Sequence, residues 1–127
     1  MSAQYQPVGR VLVVEDETEI RDFVAMVLGS EGYRVTTAPN GAAALDQVGR
    51  EAFDLILLDM RMPVMDGWGF ARAYRAGIGP HAPIVVLTAA RDAAERAAQI
   101  RAEGFLGKPF DLDDLLTLVA QHTRRTR

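Results

Sequence analysis

What most constrains this chain is a rhythm: short apolar runs alternate with stretches of helical period along all 127 residues. The runs are Arg10–Val14, Tyr33–Thr37, Asp54–Leu58, Ile84–Leu87 and a weaker Gly104–Leu106. The first, third and fourth are nearly continuous Val, Ile and Leu, which is how a strand buried on both faces of a parallel sheet reads. Between the first two runs, Ile20, Phe23, Val24, Val27 and Leu28 form one apolar stripe at helical spacing, and Gly32 is a natural stop. A shorter helix is expected over Ala42–Val48 behind Asn40-Gly41. A third follows Asp66-Gly67, with Phe70 and Tyr74 on one face. A fourth covers Arg91–Ala102, where Ala93, Ala97 and Ile100 share a face. The fifth opens at the N-capping Asp111 and is expected to bury Leu112, Leu115, Leu116 and Val119. Strict alternation of this kind predicts an α/β fold, a parallel sheet with helices on both faces, because right-handed crossovers force that arrangement.

The length fits one domain, expected over residues 10–122, between a polar, flexible lead-in (1–9) and a basic tail (123–127). Arg124, Arg125 and Arg127 in that tail read as solvated cations favoured by a helix dipole. A net charge of -3 gives no electrostatic footprint for nucleic acid. The absence of cysteine removes disulfides, thiolate metal sites and cysteine nucleophiles, and is compatible with the cytoplasm. No apolar run approaches the ~20 residues needed to cross a bilayer, and the first ten residues lack a signal-peptide core. One detail of composition is sharper. Of 14 Lys and Arg residues, only Lys108 is lysine, a compact point charge on a flexible stem where Arg is a planar fork.

In a sheet of this class, ligands gather at the carboxyl ends of the strands, where the strand order reverses. Glu15, Asp16 and Glu17 follow the first run, Asp59 the third, Thr88 the fourth, and Lys108 with Pro109 the fifth. Acidic groups from two strands thus converge on one rim, and like charges held close oppose one another's ionisation. A hard divalent cation relieves this, and Mg²⁺ binds through one or two carboxylates plus a phosphate. A carboxylate facing such a donor can act as nucleophile and form an aspartyl phosphate, with the ion and Lys108 supplying charge stabilisation and Thr88 a hydroxyl. Taken singly, each residue has a plainer role. Glu17 reads as a helix cap or first-turn acid. Glu15 and Asp16 each stand between cap and metal ligand, Thr88 reads as a cap, and Lys108 as a surface charge. Asp54 and Asp66 read as turn or cap residues, Asp113 and Asp114 as first-turn acids, and His81 and His122 as surface residues. The functional reading rests on four strand ends agreeing.

The segments VLVVEDE (Val11–Glu17), DLILLDMRMPVMDG (Asp54–Gly67), PIVVLTA (Pro83–Ala89) and GFLGKPF (Gly104–Phe110) together resemble the receiver domain of bacterial two-component response regulators, over about Arg10 to Gln121. The resemblance implies a flavodoxin-like (βα)5 fold with strand order 2-1-3-4-5. It implies that Asp59 accepts a phosphoryl group from a histidine kinase's phosphohistidine and that the chain is not a turnover enzyme. It also implies that Asp16 and Asp59 bind Mg²⁺ directly, Glu15 through water and Arg61 through its backbone carbonyl. Thr88 and Lys108 then contact the phosphoryl group, and the Lys108–Pro109 bond is cis. Phe105 turns inward on activation, and the face made by the fourth helix, fifth strand and fifth helix changes. The implied partners are a sensor histidine kinase or phosphotransfer protein, and a downstream protein or an output domain. A dimer through the switching face is open, with no direct contact to nucleic acid or membrane.

The chain departs from the common family pattern at Glu15, where Asp is more usual, and at Arg101-Ala102-Glu103-Gly104, where Gly-Ala-Asp-Asp is usual. Arg61 and Ala90, two residues after Asp59 and Thr88, flank the route of a hydrolytic water. Arg61 stands between a cover that slows phosphoryl loss and a solvent-pointing side chain. Trp68 is expected near the same rim. Among rivals, Asp-nucleophile phosphotransferases commonly carry a second Asp where Arg61 stands. A flavin-binding module would not place Glu15-Asp16-Glu17 in its phosphate loop, and no GxxxxGK[ST] occurs. A third alternative is a receiver-like docking module without phosphorylation, against which the intact Asp59, Thr88 and Lys108 argue.

Overall fold

The structure is a computed structural model, described here over residues 8–123. The lead-in up to residue 7 and the arginines from 124 onward lie outside the described residues. Five strands and five helices alternate: β1 (Arg10–Val14), α1 (Thr18–Ser30), β2 (Arg34–Ala38), α2 (Gly41–Arg50), β3 (Leu55–Asp59), α3 (Gly67–Ala76), β4 (Ile84–Ala89), α4 (Ala90–Gln99), β5 (Gly104–Lys108) and α5 (Leu112–Thr123). The strands form one parallel sheet in the order β2-β1-β3-β4-β5, so β1 and β3 are neighbours at the switch point. This is the flavodoxin-like α/β arrangement that the sequence predicts.

The continuous apolar strands are buried on both faces, as their composition requires. Val11, Val13, Leu55, Leu57, Val85 and Leu87 pack against Val24 and Leu28 of α1 and Leu115 and Val119 of α5. The alternate residues Leu12, Val14, Ile56, Leu58, Ile84 and Val86 pack against Ala44 of α2, Phe70 and Ala71 of α3, and Ala97 and Ile100 around α4. Period-two alternation within each strand thus fills two cores.

Local signals behave as their chemistry demands. Asn40 caps α2 by accepting from Ala43 N–H at 2.9 Å, and Asp66 caps α3 by accepting from Gly69 N–H at 2.9 Å. Gly32, at φ +96°, ends α1. Asp54 accepts from the backbone N–H of Arg10 at 2.8 Å. Gly67 has a packing reason: a Cβ there would lie 2.6 Å from Met60 Sδ and 2.8 Å from the Asp59 carbonyl oxygen, so only glycine lets α3 start against the end of β3.

Several expectations are corrected. The strand ends run further than the apolar runs: β3 includes Asp59, β4 includes Thr88 and Ala89, and β5 includes Lys108. The parallel ladder carries them, pairing Asp59 with Leu87, Thr88 with Gly107 and Ala89 with Lys108. Phe23 is 45% exposed, because α1 meets the sheet through Val24 and Leu28, and Phe23 lies one residue, about 100°, round from Val24. Leu112 is 44% exposed at the first residue of α5, and the buried stripe starts at Leu115. Helix α4 ends at Gln99 and not Ala102, because Arg101 adopts φ +54°. His122 is half-buried, with its ring against Gly104 and Nδ1 3.0 Å from the Leu118 carbonyl. His81 is exposed and packs edge-on to Tyr74 with ring centroids 4.8 Å apart.

Candidate functional site

The β1 end supplies two carboxylates. Glu15 continues the strand backbone through its N–H, which donates to the Ala38 carbonyl at 3.0 Å, and its side chain is fully buried. The next residue, Asp16, is the most open of the acids. The β3 end supplies Asp59, buried beside them. Ligand oxygens of Glu15, Asp16 and Asp59 lie within 4.8 Å of one another. From the β5 end, Lys108 Nζ reaches in to 2.7 Å from Glu15 Oε1 and 3.5 Å from Asp59 Oδ1. Thr88 is buried at the end of β4.

Asp16, Asp59, Thr88 and Lys108 open onto a cleft of about 590 Å³ that Arg61 also lines, with Asp92 at its α4 wall; Glu15, fully buried, is not part of the lining. The Lys108–Pro109 bond is cis. Arg61 is exposed and lines the cleft. Ala90 and Phe105 do not line it: Ala90 packs its Cα against Gly107, and Phe105 stands outward on β5, 48% exposed. Glu17 occupies the N-cap position of α1 without a side-chain capping bond, and its backbone N–H instead donates to Glu15 Oε2 at 3.1 Å. Thr88 is not a cap either; Ala89 holds that position at α4. The Trp68 ring turns away from the cleft, and its Nε1 donates to Gln99 Oε1 of α4 at 2.8 Å.

The electrostatics follow from burial and crowding. Burial pushes Asp59 up, Glu15 and Asp16 push it further, and Lys108 pulls it partly back, leaving its pKa raised to about 7. Burial alone pushes the Lys108 ammonium down, but Glu15 and then Asp59 outweigh it, so it titrates above its ordinary value and stays charged. One ammonium thus faces three carboxylates. An all-oxygen donor set with excess negative charge suits a hard divalent cation and no soft metal.

Sequence reasoning missed two residues here. Arg21 donates from Nη1 to the Glu15 carbonyl at 3.0 Å and so fixes the backbone of the acidic loop. The only signal was its position one turn into α1, which also fits an ordinary exposed cation. Asp92 lies in the first turn of α4, where an acid is already favoured by the helix dipole.

Residues 11–120 match the family model described as the response regulator receiver domain. The response regulator MprA of Mycobacterium tuberculosis is 38% identical over 120 residues, which is 93% of this chain and 52% of that protein. The chain thus spans about half the length of the curated relatives it matches. Among solved structures, the chemotaxis response regulator CheY4 of Vibrio cholerae superposes with a TM-score of 0.78 at 34% identity, covering 88% of this chain and 96% of that one. The receiver domain of the sensor histidine kinase PA1611 of Pseudomonas aeruginosa, solved with a magnesium ion coordinated in its active-site cleft, superposes with a TM-score of 0.82 at 33% identity, covering 91% and 97%. With its fold, its acidic cluster and these matches in agreement, the chain belongs to the response regulator receiver domains of two-component signalling.

Proposed function

We propose that Asp59 is the phosphoacceptor of this receiver, that the reaction needs Mg²⁺, and that phosphorylation switches the α4/β5/α5 face. The observation that carries the reading is the placement of Lys108 Nζ 3.5 Å from Asp59 Oδ1, within a cluster of three carboxylates. Asp16, Asp59 and the Arg61 carbonyl would hold the ion, with Glu15 acting through water. A bound magnesium ion supplies neutralisation of the carboxylates and of the phosphoryl oxygens.

The chain's own residues do the rest. An Asp59 Oδ atom attacks phosphorus, the P–N bond of the donor phosphohistidine breaks, and its electron pair stays on the imidazole nitrogen; the leaving ring is neutral through a proton on its other nitrogen, or takes up a proton from solvent. Asp59 must be ionised to attack; its pKa of about 7, with the pull of Lys108 included, leaves it about half ionised at neutral pH, and a bound cation would favour the ionised form. Lys108 meets the charge that builds on the phosphoryl oxygens, and the Thr88 hydroxyl donates to one of them. Arg61, exposed beside the cleft, covers the phosphoryl group and slows its hydrolysis; Ala90 leaves the other flank small. Phe105, outward in this structure, turns inward when Thr88 moves.

The domain is read as residues 10–122, a phosphoacceptor that assists its own phosphorylation and dephosphorylation without turnover. It acts in the cytoplasm, and its partners are a sensor histidine kinase or phosphotransfer protein and a downstream protein or output domain, with the α4/β5/α5 face open to dimerisation. Among the described residues, no helix is long and apolar enough to cross a membrane. The test is intact mass after incubation with acetyl phosphate, with and without Mg²⁺, beside Asp59→Asn. One phosphoryl group gained only with Mg²⁺, and none in the variant, is expected. No gain under any condition leaves a docking module as the better account.

A further inference from the structure

Helix α4 meets the sheet through small side chains. Within the helix only Ala93 and Ala97 are buried, whereas α1 buries Val24 and Leu28, and α5 buries Leu115 and Val119. Two methyl groups remove little apolar surface from water. At its C-terminal end, where Ala97 and Ile100 enter the core, α4 is also held by polar contacts from α3. Trp68 Nε1 donates to Gln99 Oε1 at 2.8 Å, and the Arg96 guanidinium stacks over the Trp68 ring at 5.3 Å. Arg75 donates from Nη1 to the Ile100 carbonyl and from Nη2 to the Arg101 carbonyl at 3.1 Å. It also pairs with Glu103 at 3.6 Å, and Glu103 Oε1 accepts from the Ile84 N–H, at the start of β4, at 2.7 Å.

The geometry of the α4 end shows what these contacts oppose. Helices α1 and α4 finish on the same hydrogen-bond pattern. In α1, Gly32 N–H meets Gly29 O and Tyr33 N–H meets Leu28 O, each at 3.1 Å. In α4, Arg101 N–H meets Ala98 O at 3.2 Å and Ala102 N–H meets Ala97 O at 2.8 Å. The left-handed position is Gly32 in one and Arg101, at φ +54°, in the other. A side chain there is disfavoured where glycine is not. Arg75 grips the two carbonyls flanking that strained turn. Beside it, a cleft of about 450 Å³ between α3 and α4, lined by Trp68, Ala71, Arg72, Gln99 and Arg101, leaves room for the helix end to move. The other end of α4 starts directly after Thr88 and Ala89, and Gly107 must stay small because a Cβ would come 2.4 Å from Ala90 Cα. Motion of α4 is therefore coupled to the strand ends that line the phosphoryl cleft.

We infer that Trp68 and Arg75 form a clasp that holds α4 in its resting position, and that its release sets how readily this chain switches. The inference rests on Asp59 being the phosphoacceptor. A two-state element held by a few exposed polar contacts shifts by the worth of those contacts, about three- to tenfold in population. Acetyl phosphate should phosphorylate Gln99→Ala about threefold faster than wild type and Arg75→Gln up to about tenfold faster. Gln99 is exposed, so Gln99→Ala leaves the core intact, and a thermal melt checks both variants. Trp68 is the single tryptophan, so its acrylamide quenching reads the clasp directly. Quenching should rise on phosphorylation of wild type and be raised already in unphosphorylated Gln99→Ala. If wild type gains the phosphoryl mass but its quenching is unchanged, or both folded variants react within about 1.5-fold of wild type, the clasp is overturned alone. If wild type gains no mass, the phosphoacceptor reading fails and takes the clasp with it.

Discussion

The interior of the sheet and its carboxyl rim are built from the same strands on opposite terms. Val11 to Val14 and Leu55 to Leu58 are apolar and without solvent exposure. One residue further along each strand, burial continues but the side chain is Glu15 or Asp59. In the interior, burial and side-chain chemistry agree, and each residue stabilises the fold. At the rim they conflict, and the conflict is held in check by Lys108. Charge buried against its own preference is a mark of a functional position, since stability alone would have replaced it.

The largest effect should come from the interior. Leu57→Ala removes a side chain packed in the α1/α5 core and should cost about 4 kcal/mol, independent of Mg²⁺, by denaturant titration. The rim should respond in the opposite sense. Folding raises Asp59 from its ordinary 3.8 to about 7, so the folded chain binds that proton more tightly than the unfolded chain. Asp59's own contribution is therefore fully present below pH ~4, falls as pH rises towards 7, and is lost above it. The shift bounds the penalty at about 4 kcal/mol. Asp59→Asn should thus stabilise the metal-free chain at pH 8 by about 2 kcal/mol, discounted because Lys108 also loses a partner, and by little at pH 4. Millimolar Mg²⁺ should raise the melting temperature of wild type at pH 8 more than that of Asp59→Asn. A destabilising Asp59→Asn at pH 8 would break the contrast between interior and rim. The smallest effect sharpens the rim itself. Arg61→Asn should shorten the lifetime of the phosphorylated form about threefold, roughly 0.7 kcal/mol in barrier, measured by loss of the phosphoryl mass after donor removal.

The same division explains what was legible in the sequence. Interior strands declare themselves as unbroken Val, Ile and Leu, and the rim as the polar residues that end them, so the fold and the cluster of Glu15, Asp16, Asp59, Thr88 and Lys108 could be read together. Helical spacing identifies a face only to within one residue's turn, which is why Phe23 was expected inside and stands outside, and it does not show where along a helix burial begins, which is why Leu112, the first residue of α5, is exposed. Arg101 hid the end of α4, since only its backbone conformation, not its residue type, stops the helix there. Trp68 was expected near the rim because its backbone begins α3 there, but its ring is drawn to Gln99 and Arg96, partners distant in sequence. Arg21 and Asp92 carried no signal beyond ordinary surface charge.

The measurement that tests the central claim most directly is chemical trapping of the phosphorylated residue. An aspartyl phosphate is a mixed anhydride, and borohydride reduces its carbonyl carbon to an alcohol, converting that aspartate into homoserine while ordinary carboxylates are untouched. After treatment with acetyl phosphate and Mg²⁺, peptide mapping should find homoserine at position 59 and aspartate retained at position 16. Homoserine at another aspartate, or at none while the phosphoryl mass is present, would contradict the assignment of Asp59 as the acceptor.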